Sequence, residues 1–157
     1  MLRSNPPYAL WSIWIYLDPV QKLFLLTLCI AGIYFLFSST VIVARLRAMT
    51  SLGQKEDRAS MQRSLAAPYT RYTNAQQLIR ATFYLFGLVL FFGLQRAYLT
   101  IDESKTPVGW LILENFVIHF AFAANVFSVF LTLHLVQWFV SSRLRAYNLQ
   151  SGTYNVV

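Results

Sequence analysis

"WLILENFVIHFAFAANVFSVFLTLHLVQWFV", residues 110–140, holds neither Pro nor Gly, yet this apolar run carries Glu114, Asn115, His119, Asn125 and His134. An ionisable group in a membrane segment costs roughly 2.5–3.5 kcal/mol on insertion scales and usually faces a partner or a wet cavity. As a helix the run would be about 46 Å long at ~1.5 Å per residue, more than the hydrocarbon thickness of a bilayer, so it would tilt or project into water. Whether it spans a membrane decides the fold.

Composition favours a span. The 157-residue chain is 57% hydrophobic and only 12% charged, against roughly 25% charged in soluble domains. Two other apolar stretches accompany the first. Leu23–Ala44 reaches the about 20 residues a spanning helix needs, and Ala81–Leu94 reaches it with Leu78, Ile79 and Ala97–Leu99 included. The expectation is an all-α integral membrane protein in one domain. It divides into an outer interfacial segment over 1–21, spans at 22–44, 78–99 and 110–141, a cytoplasmic loop over 45–77, an outer loop over 100–109 and a tail over 142–157.

The net charge of +7 does not point to nucleic acid once the cations are placed. Arg45, Arg47, Lys55, Arg58, Arg63, Arg71 and Arg80 lie between spans one and two, and Arg143 and Arg145 follow span three. Only Arg3, Lys22, Arg96 and Lys105 lie on the other side. By the positive-inside rule the amino terminus is outside and the carboxyl terminus cytoplasmic. The lipid bilayer, with its anionic headgroups, is the partner this excess fits.

Finer structure follows from local signals. Tyr8, Trp11, Trp14 and Tyr16 suit the headgroup level, and Lys22 marks the start of span one. Ser38, Ser39 and Thr40 can bond carbonyls of the preceding turn or a neighbouring helix. The polar loop shows no apolar period that would give it a core. It predicts a short surface helix from Lys55 that stops at Pro68, an extended Tyr69–Tyr72, and a capping box at Thr73 and Gln76 that starts span two. Gly87 and Gly93 sit six apart, so a four-residue small-residue packing motif is absent.

In span three, Glu114, Ala121, Asn125, Ser128 and Thr132 fall within about 40° of one line on a helix, while His119 and Gln137 share another face. One reading is a packing seam against a neighbouring helix. The other is a lining for proton movement, with Glu114 or His119 titrating. Both need neighbours, so oligomerisation or docking onto other subunits is expected. Haem clamped by His119 and His134 is excluded by their separation of about 22 Å along one helix. The single cysteine, Cys29, rules out an intrachain disulfide, and Leu28 before it is too large for a lipoprotein cleavage site. No metal motif, phosphate loop or activated nucleophile marks an enzyme or a cofactor site.

The arrangement resembles the MotA/TolQ/ExbB proton-channel family. In "GLVLFFGLQRAY", Gly93, Ala97 and Tyr98 match the family's Gly, Ala and aromatic; in "PVGWLILENFVIHF", Pro107, Gly109 and Glu114 are similar to its turn and acid. The family's pore threonines fall at Leu90 and His119. The resemblance implies a bacterial inner-membrane, multi-pass protein that forms a homo-oligomer around a single-span partner and couples proton movement to transport or mechanical work. Glu114 would accept the proton and His119 would act as a replacement relay or plug. The alternative is a structural accessory subunit of a larger membrane complex.

Overall fold

A computed structural model describes residues 17–51, 58–99 and 108–151, with side chains over 17–49, 63–95 and 117–146. The expected interfacial aromatics and the turn at Pro107 lie outside the described residues. All three described segments are helical: α1 is Pro19–Ser51, α2 is Arg58–Leu99 and α3 is Val108–Ser151. Each is long and apolar enough to cross a membrane. A helix satisfies its own backbone, which is what a chain surrounded by lipid requires. The chain thus has the make-up of a multi-pass membrane protein.

The helices outrun the expected spans, and α2 corrects the sequence reading most. It is one helix of 42 residues with Pro68 inside it, so neither a stop at Pro68 nor an extended Tyr69–Tyr72 exists. The capping box is absent too. Thr73 Oγ1 donates to the Thr70 carbonyl at 2.9 Å, and Gln76 Nε2 donates to the Tyr72 hydroxyl at 2.9 Å. An interior proline costs about 3 kcal/mol, and packing offsets that cost. Leu65, Pro68, Tyr72, Ala75 and Ile79 are spaced three, four, three and four, and all are buried or half-buried. The stripe continues at the same spacing through Thr82, Phe86, Val89 and Gly93.

This 3–4 alternation is the seam of coiled-coil-like packing. In α1 it runs through Gln21, Phe24, Leu28, Ala31, Phe35, Ser38 and Ile42; in α3 the buried residues Phe122, Val126, Phe130, Leu133 and Val140 are spaced four, four, three and seven. A seam this narrow leaves much of each helix uncovered, and Ile33, Tyr84, Phe120 and Trp138 are each more than 60% exposed. An apolar surface of that kind fits lipid. In α1 39% of the apolar window is buried, against 17% in α2 and 22% in α3, so α1 is the most enclosed helix.

Packing divides the chain into two compact units. The first takes residues up to Leu28 together with Thr82–Phe130. Its core is aromatic: Phe24 stacks on Phe86 at 5.8 Å between centroids, Phe122 lies edge-on to Phe24 at 6.3 Å, and Phe130 meets Phe83 edge-on at 5.1 Å. The second unit takes Cys29–Ala81 and Leu131–Val157. Phe35, Ile42, Leu46, Tyr72, Ala75, Leu133 and Val140 form its core. Here the expected polar loop supplies one wall of a hydrophobic cluster, because α2 is already helical there.

Candidate functional site: a polar cluster at one end of the helices

The first turn of α1 is built by "DPVQ", residues 18–21. Asp18 precedes the helix and its Oδ1 accepts from the Val20 N–H at 3.4 Å, while the Asp18 N–H donates to Gln21 Oε1 at 3.2 Å. The two residues therefore cap the helix reciprocally. Pro19 occupies the first helical position, where a missing N–H costs nothing. Lys22 N–H closes the turn onto the Asp18 carbonyl at 3.0 Å.

Using Oε1 in the cap fixes the Gln21 amide and turns Nε2 inward. Gln21 is 3% exposed, and Nε2 has no hydrogen-bond partner. It rests against Gly93 of α2, where a methyl group on Cα would lie 3.0 Å from Gln21 Nε2 and 3.2 Å from His119 Nε2 of α3. Glycine is what admits both side chains. Three helices thus bring an amide, a bare backbone and an imidazole to one place. The close approach supplies a physical reason for a glycine at position 93.

The polar face of α3 is placed differently. Asn125, Ser128 and Thr132 are exposed, and Ala121 is half-buried. Asn125 Nδ2 donates to the Ala121 carbonyl at 2.8 Å, and Ser128 Oγ donates to the Asn125 carbonyl at 2.7 Å. His119 is half-buried in the first unit. The structure therefore separates His119 from Asn125, Ser128 and Thr132, with the imidazole inward and the amide and hydroxyls outward. His134 is exposed. Glu114 and Gly109 lie in α3 and Ala97 in α2, but their side-chain surroundings fall outside the described residues, as does all of Pro107.

In the second unit, Tyr72 is 2% exposed; its hydroxyl accepts from Gln76 Nε2 and shares a hydrogen bond with Ser141, tying α2 to α3. Ser38 Oγ donates to the Tyr34 carbonyl and Thr40 Oγ1 to the Phe37 carbonyl, each at 2.8 Å, as the sequence led us to expect. Ser39 Oγ is buried without a partner. Among the described residues no three His, Cys, Asp or Glu side chains gather where a metal ion would sit.

Sequence reasoning missed Asp18 and Gln21. Their signal was present: an acid before Pro at a helix start, with Gln three residues after the acid. No family model matches the chain, and no curated protein and no solved structure matches it either.

Proposed function

We propose that the chain is a subunit of an integral membrane assembly, held to its neighbours through the polar face of α3. The observation that carries this reading is Asn125, an amide exposed in the middle of an apolar span between Phe120 and Phe127, which are 66% and 56% exposed. A polar side chain facing acyl chains is costly, and membrane helices cover such groups with other helices. Ala124 and Ser128, four apart, would let a second backbone approach closely.

Membrane orientation belongs to the same reading. Arg45, Arg47, Arg63, Arg71, Arg80, Arg143 and Arg145 all fall in the second unit. That end faces a bacterial cytoplasm, and the Asp18 end faces outward. Arg143 lies over the Phe139 ring at 5.3 Å, a placement suited to a cation at the edge of the hydrocarbon.

The test is the mass of the particle extracted in mild detergent. An assembly heavier than the 18.1 kDa chain is expected, and Asn125→Leu should lower its recovery while the chain stays in the membrane. A monomer before and after the substitution would remove the basis for the reading.

Proton coupling of the MotA/TolQ/ExbB kind is a second reading, with a homo-oligomer around a single-span partner. The inward placement of His119 beside the Gln21 amide favours it, because a titrating group needs a polar environment shielded from lipid. Proton flux into proteoliposomes should then fall with Glu114→Gln and with His119→Leu while assembly survives. A purely structural accessory subunit would show no flux to lose.

A further inference from the structure

The outward faces of the three helices in the second unit do not match. α1 shows Ile33, Leu36 and Phe37 there, and α3 shows Leu131, Leu135 and Trp138, all exposed. α2 instead shows Ala67, Thr70, Asn74, Gln77 and Ala81, also exposed and spaced three, four, three and four. That row lies on the side of α2 opposite Tyr72 and Ala75, which belong to the core. With the row at the a and d positions of a heptad, Arg71 falls at e and Arg80 at g, the flanking positions whose charges choose a partner helix.

The level of this face follows from its core side. The Tyr72 ring lies 5.8 Å from Phe35, and Phe35 is twelve residues from the start and nine from the end of the apolar run Leu23–Ala44. The row therefore passes through the interior of the span, about 14 Å from its end at ~1.5 Å per residue. Lipid that suits α1 and α3 there does not suit Arg71, Asn74, Gln77 and Arg80. Among the described residues none of these four side chains has a hydrogen bond or ion pair.

From this mismatch we infer that the outer face of α2 binds a transmembrane helix of a different protein, and that this helix carries Asp or Glu on the flanks that meet Arg71 and Arg80. Charge selects the occupant. The second-unit parts of α1, α2 and α3 contain no Asp or Glu, so the two guanidinium groups have no counter-ion in them. Of the six acids in the chain, Asp18, Asp102, Glu103 and Glu114 belong to the first unit, and Glu56 and Asp57 lie in the connection between α1 and α2. A second copy in the same orientation would set arginine against arginine, which repels. Headgroup phosphates lie at the membrane surface, not level with Phe35. A foreign helix can hold carboxylates at that depth, about 14 Å apart along its axis to match the nine residues between Arg71 and Arg80. The inference rests on the reading of the chain as a membrane subunit, but it uses α2 and not the α3 face.

The probe is a Leu/Ala host helix carrying two Glu nine residues apart, compared with the same peptide carrying Gln in their place. The purified full chain is reconstituted in phosphatidylcholine vesicles at pH 8, and energy transfer from its tryptophans to a dansyl group on the peptide reads binding. The native chain should bind the Glu peptide about three- to twentyfold more tightly, the range of one interhelical polar contact. Arg71→Gln and Arg80→Gln should each reduce that preference, and the double variant should abolish it. Both arginines are exposed, so these variants leave the core intact. Arg143→Gln, near the end of α3, should leave the preference unchanged. Asn125→Leu should leave it unchanged as well, so a failure of the α3 contact shows separately. Equal binding of the two peptides by the native chain would overturn the inference, as would a preference that survives in the double variant. So would a preference that phosphatidylglycerol in the vesicles abolishes, because a headgroup would then be the occupant. A chain that does not float with the vesicles would remove the membrane reading and this inference together.

Discussion

Gly93 lies directly against the His119 imidazole: a methyl group on its Cα would stand 3.2 Å from Nε2 and 3.4 Å from Cδ2, with Gln21 Nε2 closer still at 3.0 Å. Gly87, in the same span, has nothing within 4 Å of that position. The two glycines therefore separate the effect of crowding from that of helix propensity. Gly93→Ala should destabilise the chain by about 1–3 kcal/mol, the usual cost of overpacking. Gly87→Ala should stabilise it by up to about 1 kcal/mol. Thermal unfolding in detergent reads both signs, and equal shifts would contradict the contact.

Breaking the cap at the start of α1 should loosen its first turn. Asp18→Ala should cost about 0.5–2 kcal/mol, and Asp18→Asn much less, because Asn caps nearly as well. Hydrogen exchange at the Val20 and Gln21 amides should quicken in the Ala variant. Unchanged exchange there would mean that the side chains do not hold the turn.

Pro68→Ala tests the continuity of α2. In an unbroken helix the substitution restores an N–H and removes a clash with the preceding turn, so it should stabilise by up to about 3 kcal/mol. Were the helix broken there, as the sequence alone suggested, the gain would be small. Unfolding midpoints of the two proteins decide the matter.

Tyr72→Phe removes a buried hydroxyl and leaves Gln76 and Ser141 to find other partners. The ring still meets Phe35, whose centroid is 5.8 Å away, so the loss should stay near 1 kcal/mol. Tyr72→Ala should cost about 3–5 kcal/mol, because it also opens a cavity in a well-packed site. Denaturant or thermal unfolding of the pair separates the hydroxyl from the ring.

The three long helices were legible because the length of an apolar run is a strong signal. The wall formed by residues 65–79 was not, because its stripe is made of Leu65, Pro68, Tyr72, Ala75 and Ile79. Of these only Leu65 and Ile79 stand out by hydropathy, and Pro68 reads as a stop. The Thr73 and Gln76 pair has the capping pattern, yet both side chains bond within α2, whereas Asp18 and Gln21 form the cap. Periodicity did separate His119 from Asn125 on α3. It could not say which of them turned inward, since apolar residues surround the helix on every side. Only the contact with Gly93 and Gln21 supplied that direction.

Asn125 gives one of its two amide N–H groups, and Ser128 its hydroxyl proton, to carbonyls of their own helix. On the proposed reading, lateral contact through this face would use the second Asn125 N–H together with the fit of small side chains, with interhelical polar contacts averaging only about 0.6 kcal/mol. Subunits meeting there, as proposed, would trade neighbours readily, and the assembled fraction would rise and fall with the crowding of protein in the bilayer.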